Sequence, residues 1–411
     1  MSMPGKWFQI SLFNFAIAAC MGLLLRYAGL YPIGNINFKF LLHGHSHGAM
    51  LGWIYIALAA LIYDCFAEQS KQSEKYFNIL FIVSQIAVIG MFIFFPIQGY
   101  AACSIIFSTL HLLCSYIFVY LIWKFRKKER NTGSALLKTA LGFMLISTIG
   151  VWCLGPAVGL MGNTSAFFHI AIQFFLHFQF NGWFVIAILA IAFYFFRIQF
   201  SAKDWRVFYI LLLLSVVLTF ALPLSWYLKN PLLYVLHVVG LLAQLAASVM
   251  LYRSVHSQVR GVFKIYSRTE RILFMYSLLT LLIKILIPFV LLYPSMMEAV
   301  HYIRHLVIAF IHLLMLGTIS GSLLLFAMRS GWINVSSFVV SFSSYLLIIG
   351  FLLTEILLLL QGVCIYMGWP LVPYYPFLLF GASIVLCVAV LLLFIFSFIP
   401  KRQYKESNVK V

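Results

Sequence analysis

Acidic side chains are scarce in this sequence: nine Asp and Glu stand against 27 Lys and Arg in 411 residues, and charge of either sign makes up only 9% of the chain. Long polar stretches are missing too, which excludes a separate soluble domain. At 64% hydrophobic residues, the chain is too apolar for a water-facing surface, and its solvent must be lipid. CxxC pairs are absent. The cysteines (Cys20, Cys65, Cys103, Cys114, Cys153, Cys364 and Cys387) lie mostly inside hydrophobic runs, which argues against a zinc ribbon or a disulfide framework and leaves packing. No small-residue cleavage site accompanies the first apolar run, from Trp7, so the sequence predicts a spanning helix there and no removable signal. The net charge of +18 invites a nucleic-acid reading, but the cations sit in short loops between apolar runs, as membrane topology dictates. No nucleic-acid partner is expected.

What is present is a series of apolar runs of spanning length, near 7–28, 40–64, 76–98, 101–123, 136–158, 165–196, 207–227, 231–252, 272–294, 301–327, 337–362 and 374–398. They predict an all-α polytopic membrane protein of about twelve helices in a single domain, 1–411. With twelve spans, loops after even-numbered helices share a side with both termini. Those segments carry 22 Lys and Arg, including Lys124–Arg130 and the 253–271 loop. The opposite side carries only Arg26, Lys39, Lys229 and Arg304, while Lys284 lies within the ninth helix. The asymmetry predicts cytoplasmic termini in a multi-pass cell (inner, cytoplasmic) membrane.

The histidines follow this topology. His43, His45 and His47 fall on the second helix, His111 on the fourth, and His169 and His177 on the sixth. His237 falls on the eighth, and His301, His305 and His312 on the tenth. All ten occupy the first half of an even-numbered helix, hence the outer half of the membrane, and only His256 is cytoplasmic. Packing histidines would not choose one helix direction and one depth.

An internal repeat accompanies them. His47-x4-Gly52-Trp53, His177-x4-Gly182-Trp183 and His312-x4-Gly317 recur at steps of 130 and 135 residues, and His111 and His237 follow the first two by 64 and 60. The twelfth helix has Tyr374 and Tyr375 near the equivalent place. This predicts three four-helix units, about 1–132, 133–265 and 266–411, each presenting its second helix to a shared interior.

On a helix His43 and His47 share a face, as do His301, His305 and His312, whereas His45 points away. His169 and His177 are about 12 Å apart along theirs, too far to bind one ion together. Imidazole suits haem iron, copper and zinc. Arg26, Lys39 and Arg304, at the outer helix ends, are suited to carboxylates such as haem propionates. Carboxylates near that depth are limited to Glu298 and Glu355, which disfavours a zinc or manganese site and fits haem or copper better. Against these readings stand plainer ones: polar residues satisfied in the interior, aromatic packing for Trp53 and Trp183, and close helix approach for Gly52, Gly182 and Gly317. Lys284 and Glu355 are candidates for a proton path, or for ordinary buried pairing.

The pattern of histidines on helices 2, 6 and 10 of a twelve-helix, threefold chain resembles subunit I of the haem–copper oxidase and nitric oxide reductase superfamily. The segment His43-Gly-His-Ser-His47-Gly-Ala-Met-Leu-Gly52-Trp53 resembles the second helix of the nitric-oxide-reductase-like branch and the first histidine motif of NnrS-type haem–copper membrane proteins. Phe95–Tyr100, Phe107–His111 and His177–Trp183 resemble an oxidase-subunit-I-like group. The resemblance implies a low-spin haem b held between His43 or His47 and His305 or His312, with Arg304 nearby. It also implies a second metal site using His169 or His177. The superfamily's His-Pro-Glu-Val-Tyr pattern and adjacent His-His pair are absent, so the usual three-histidine copper centre cannot form in the usual way, and His111 and His237 are the remaining candidates to complete it.

The sequence therefore carries two expectations. One is a haem-binding redox protein, with copper as a second cofactor, that acts on or senses a small diatomic such as nitric oxide or dioxygen and draws on an electron donor or partner subunit. The other is a transporter or metal permease whose transport site is the outer histidine cluster.

Overall fold

The structure, a computed structural model, describes residues 2–34, 36–128, 131–262 and 265–399. Glu129 and Arg130 of the basic segment, Lys264, and 400–411 at the end of the third expected unit lie outside the described residues. Every backbone polar group inside lipid must be satisfied internally, so the apolar runs fold as helices. Among the described residues twelve are long and apolar enough to cross a membrane: α1 (Met3–Ala28), α2 (Phe38–Phe66), α3 (Lys71–Gln98), α4 (Ala102–Phe125), α5 (Thr132–Met161), α6 (Ala166–Phe196), α7 (Ala202–Ser225), α8 (Pro231–His256), α9 (Arg268–Val290), α10 (Arg304–Arg329), α11 (Phe338–Met367) and α12 (Tyr375–Phe396). Side-chain caps define several starts. Asn37 accepts from the Lys39 and Phe40 amides, and Ser267 with Glu270 forms a capping box on α9.

Two boundaries differ from the sequence expectation. The run at 301–327 is broken: Pro294 opens a short helix, Pro294–Tyr302, and Ile303 (φ −84°, ψ 89°) leaves helical geometry before α10 begins. His301 therefore stands on the short helix ahead of α10. The helix of α8 continues to Val262 because no glycine or proline interrupts it between Gly240 and Gly261. His256 lies on that extension, opposite the other ten histidines.

α2, α6 and α10 are the inner helices. They bury 78%, 61% and 61% of their apolar windows, whereas the other nine bury 28–44%. Their halves nearer the chain termini touch one another and are largely buried: Trp53 to Tyr63, Trp183, Phe184, Ile186 and Ala187, and Leu323 to Met328 form one dry core. Trp53 Nε1 donates to Ser320 Oγ at 2.8 Å, joining α2 to α10, and its ring stacks on Phe15 of α1 at 4.8 Å. Trp53 and Trp183 thus serve packing and stand outside the distal cavity described below.

The three motifs have one backbone feature in common. Immediately after His47, His177 and His312 the helix widens into π geometry, over Gly48–Tyr55, Phe178–Phe184 and Leu313–Ser320. The three wide turns hold Gly52, Gly182 and Gly317 against α1, α5 and α9, respectively. A Cβ on Gly182 would stand 2.7 Å from Phe143 Cβ, and one on Gly317 would stand 2.7 Å from Thr280 Cγ2. A Cβ on Gly52 would meet Val88 Cγ1 at 2.9 Å and Asn14 Cβ at 3.1 Å. Polar anchors sit beside them at an even interval: Asn14, Ser147 and Thr280 are 133 residues apart in both steps. Asn14 Nδ2 donates to the Gly52 carbonyl (3.0 Å), Ser147 Oγ to Gln179 Oε1 (2.9 Å), and Thr318 Oγ1 to Thr280 Oγ1 (3.2 Å).

Gly182→Ala is expected to destabilise the protein by about 1–3 kcal/mol through overpacking against Phe143. Gly142→Ala, with no atom within 4 Å of the added Cβ, is expected to leave thermal unfolding in detergent nearly unchanged. Equal midpoints for the two variants would refute the close-approach role.

Candidate functional site

One continuous cavity of about 2810 Å³ lies chiefly between the distal halves of the helices, on the side away from the chain termini, and its lining extends along α9 to Ile272 and Arg271. Ordinary ligand pockets occupy roughly 300–1,000 Å³. His43, His45, His47, His111, His169, His177, His237, His301, His305 and His312 all line it, and His256 does not. The ten fall into three lobes and a mouth.

In the first lobe the widened turn of α2 aims His43 and His47 at α3 and the α3–α4 turn. His47 Nδ1 lies 2.9 Å from the His43 carbonyl, to which it donates, leaving Nε2 to accept from the Tyr100 hydroxyl at 3.2 Å. The His47 ring packs on Phe95 at 4.2 Å, and His43 meets Tyr100 edge-on at 4.6 Å. Tyr100, in the turn outside the spans, has its phenol pushed up to about 12 by burial, so it stays a proton donor. His111 of α4 lies within electrostatic range of His47 and edge-on to Tyr55 at 4.6 Å, and its Nε2 is buried without a hydrogen bond.

The second lobe gathers α1, α2, α10, α11 and α12. His45 turns to the opposite face from His43 and His47. Its Nδ1 donates to the Ala18 carbonyl at 2.8 Å, and the ring fits a notch that Gly22 leaves open, where a Cβ would stand 2.9 Å from His45 Cε1. His312 lies within electrostatic range of both His45 and Arg26. Its Nδ1 faces Glu355 Oε1 at 3.8 Å, too long for a hydrogen bond, and both atoms are buried and unpartnered. His305 meets Tyr375 edge-on at 5.4 Å and lies within range of Arg26, which also faces Glu355 and Tyr375. Histidines with Nδ1 turned toward a carbonyl or carboxylate, and Nε2 free of any protein hydrogen bond, have the orientation of metal-ligating imidazoles.

The third lobe lies among α6, α7, α8 and α9. His177 Nε2 donates to the Val216 carbonyl at 2.8 Å, and Asn181 approaches its Nδ1 at 3.4 Å. His237 and Lys284 lie within electrostatic range of His177. Neither ring nitrogen of His237 makes a hydrogen bond, although the ring lies beside the Thr219 backbone. Lys284 is only 5% exposed, and no carboxylate faces it among the described residues. At the mouth His169 stacks on Tyr227 at 5.6 Å, and Tyr227 meets His301 edge-on at the same distance. Burial, and then His169, lowers the pKa of His301 below the ordinary imidazole value. Burial likewise raises that of the Tyr227 phenol. Arg304 and Lys39 are exposed at the cavity rim.

Several sequence expectations change at this point. The contacts of His43 and His47 run to α3, α4 and Tyr100, away from His305 and His312, and it is His45 that joins His312. His111, His169, His177 and His237 are divided among the first lobe, the mouth and the third lobe. Among the described residues, no three of His, Cys, Asp and Glu converge as ligands of one metal ion, so the residues present do not fit a three-histidine copper centre. Tyr100 and the notch at Gly22 were not visible from spacing. The 133-residue interval of Asn14, Ser147 and Thr280 was present in the sequence but invisible without contacts to single it out.

No protein-family model matches the sequence, and no curated protein matches it. Among solved structures, a haem–copper terminal oxidase determined as a dimer by cryo-electron microscopy superposes with a TM-score of 0.68, over 98% of this chain and 85% of that one, at 12% identity. The likeness establishes the fold alone: this chain, with its twelve candidate spans among the described residues, shares the polytopic helical fold of that oxidase chain.

Proposed function

We propose that this protein is a membrane haem-binding redox protein, built of three four-helix units, that acts on or senses a small diatomic such as nitric oxide or dioxygen. The observation that carries the proposal is the gathering of ten histidines around one cavity, with His45 and His312 paired in the lobe that also holds Arg26 and Glu355. The donor set fits haem b. His45 and His312 keep Nε2 free of protein hydrogen bonds, and Arg26, with Arg304 and Lys39 toward the rim, supplies cations for propionate carboxylates. Bound there, a haem supplies a one-electron centre. The chain's part is to fix the His45 ring through the Ala18 carbonyl, to set Glu355 beside His312, to exclude water with the dry core beneath, and to balance charge with Arg26. His111 and His237, whose buried ring nitrogens lack partners, are where a diatomic or a second group would find donors. Charge asymmetry supports termini on the cytoplasmic side of a cell membrane, and reduction there requires an electron donor or partner subunit.

Purified from haem-replete cells and reduced with dithionite, the protein is expected to show the sharp, split α/β bands of six-coordinate haem b. His45→Ala or His312→Ala should abolish them, and His256→Ala should leave them intact. A featureless spectrum from the wild type would sink the haem reading and return the cavity to a transport site. Bands retained in both alanine variants would sink the ligand pair alone.

The mouth should carry a pH signature. Because the pKa of His301 is lowered from 6.5 in the fold, the unfolded chain binds its proton first as pH falls. The stability contributed by neutral His301 is therefore complete above 6.5 and is lost below it. Thermal unfolding between pH 7 and 5 is expected to shift to lower temperature, and His301→Gln should flatten that slope. An unchanged slope would remove His301 from the account.

A further inference from the structure

A second cavity, of about 480 Å³, opens on the terminal side where the end of α4 meets the start of α5. It takes no part in the histidine site. Four cations line it, Arg126, Lys127, Lys128 and Lys138, with no acidic side chain in the lining among the described residues. Its backbone is pinned: Glu68 N donates to the Phe125 carbonyl at 2.7 Å and Lys127 N to the Phe66 carbonyl at 2.8 Å, so the chain after α2 and the chain after α4 form a short antiparallel bridge. That bridge places the Arg126 guanidinium 4.1 Å over the Trp123 ring, while Lys138 Nζ approaches the same ring at 5.8 Å.

Lys127 is already engaged, donating to the Cys65 carbonyl at 2.9 Å and facing Asp64. The others are not. Arg126 Nη1 is buried without a hydrogen-bond partner, and Lys128 and Lys138 have no carboxylate in the lining. Cations held around one indole repel one another unless an anion stands between them, and a phosphate oxygen would satisfy both the orphaned guanidinium donor and the ammonium groups. The remaining walls, Phe66, Ile122, Leu137 and Leu141, are buried apolar side chains with Ser134 beside them, and the pocket's exposed side is formed by Trp123 of α4 and Lys138 of α5. A cationic pocket at the helix ends, open between the exposed Trp123 of α4 and Lys138 of α5, matches the phosphate headgroup of a lipid seated at the membrane surface.

We propose that this pocket binds the phosphate headgroup of an anionic glycerophospholipid, which lies in the seam between α4 and α5. The test uses the full-length protein in nanodiscs of phosphatidylcholine, of phosphatidylcholine with phosphatidylglycerol, and of phosphatidylcholine with inorganic phosphate in the buffer. Thermal unfolding and native mass spectrometry of retained lipid are read together. Phosphatidylglycerol should raise the unfolding temperature and remain bound in detergent. Arg126→Gln and Lys138→Gln should each weaken its retention about fivefold, with unfolding in pure phosphatidylcholine unchanged. Lys138→Gln, at an exposed position, keeps the test decisive if Arg126→Gln fails to fold. Wild-type-like retention in Lys138→Gln would overturn the proposal. So would inorganic phosphate reproducing the full shift, since the pocket would then be a site for the free ion.

Discussion

A polar group inside a bilayer has no water to fall back on, and that constraint organises this molecule. Where the three inner helices touch, it is met by leaving almost nothing polar: the core around Trp53, Trp183 and Leu324 is apolar, and Trp53 and Ser320 are bonded to each other across helices, although the Trp183 indole N–H is left without a partner. Around the main cavity ten imidazoles, several cations (Arg26, Lys39, Lys284 and Arg304 among them) and Glu355 surround open space, and the protein satisfies only some of them. His47, His45 and His177 have carbonyl acceptors, whereas His111, His237, His312 and Glu355 keep buried atoms unpartnered. Such groups are costly unless something else satisfies them.

The helices were legible because lipid makes length and hydropathy nearly sufficient, and the even-helix placement of the histidines followed from counting spans. The facing of individual rings was not legible. Spacing of four set His43 and His47 on one face and His45 on the other, as the structure has it. Which face meets helix 10 depends on crossing geometry and on the notch at Gly22, and neither has a signature in spacing. The break at Ile303, which moved His301 off helix 10, was hidden for a related reason: the run around it is apolar enough to span, and only Pro294 hinted at a new start.

The scarcity of acid also has an electrostatic side. Among the described residues Glu355 is the one carboxylate lining the main cavity, and it stands beside His312 and within range of Arg26. The second lobe can balance a charge within the chain, whereas Lys284 in the third lobe has no such counterpart among the described residues. The two lobes therefore present different fields to whatever occupies them, although their histidines come from equivalent motifs.

The widened turns after His47, His177 and His312 mean that each inner helix is two helices out of phase. An ordinary α-helix carries its facing rigidly from end to end, so a face chosen to pack the core would also dictate where the histidine points. A wide turn between the halves slips that phase. The lower half can settle into the core while the upper half keeps its own bearing toward the cavity. Core and site can thus vary independently, with the glycine at the slip as the fixed hinge of the bargain.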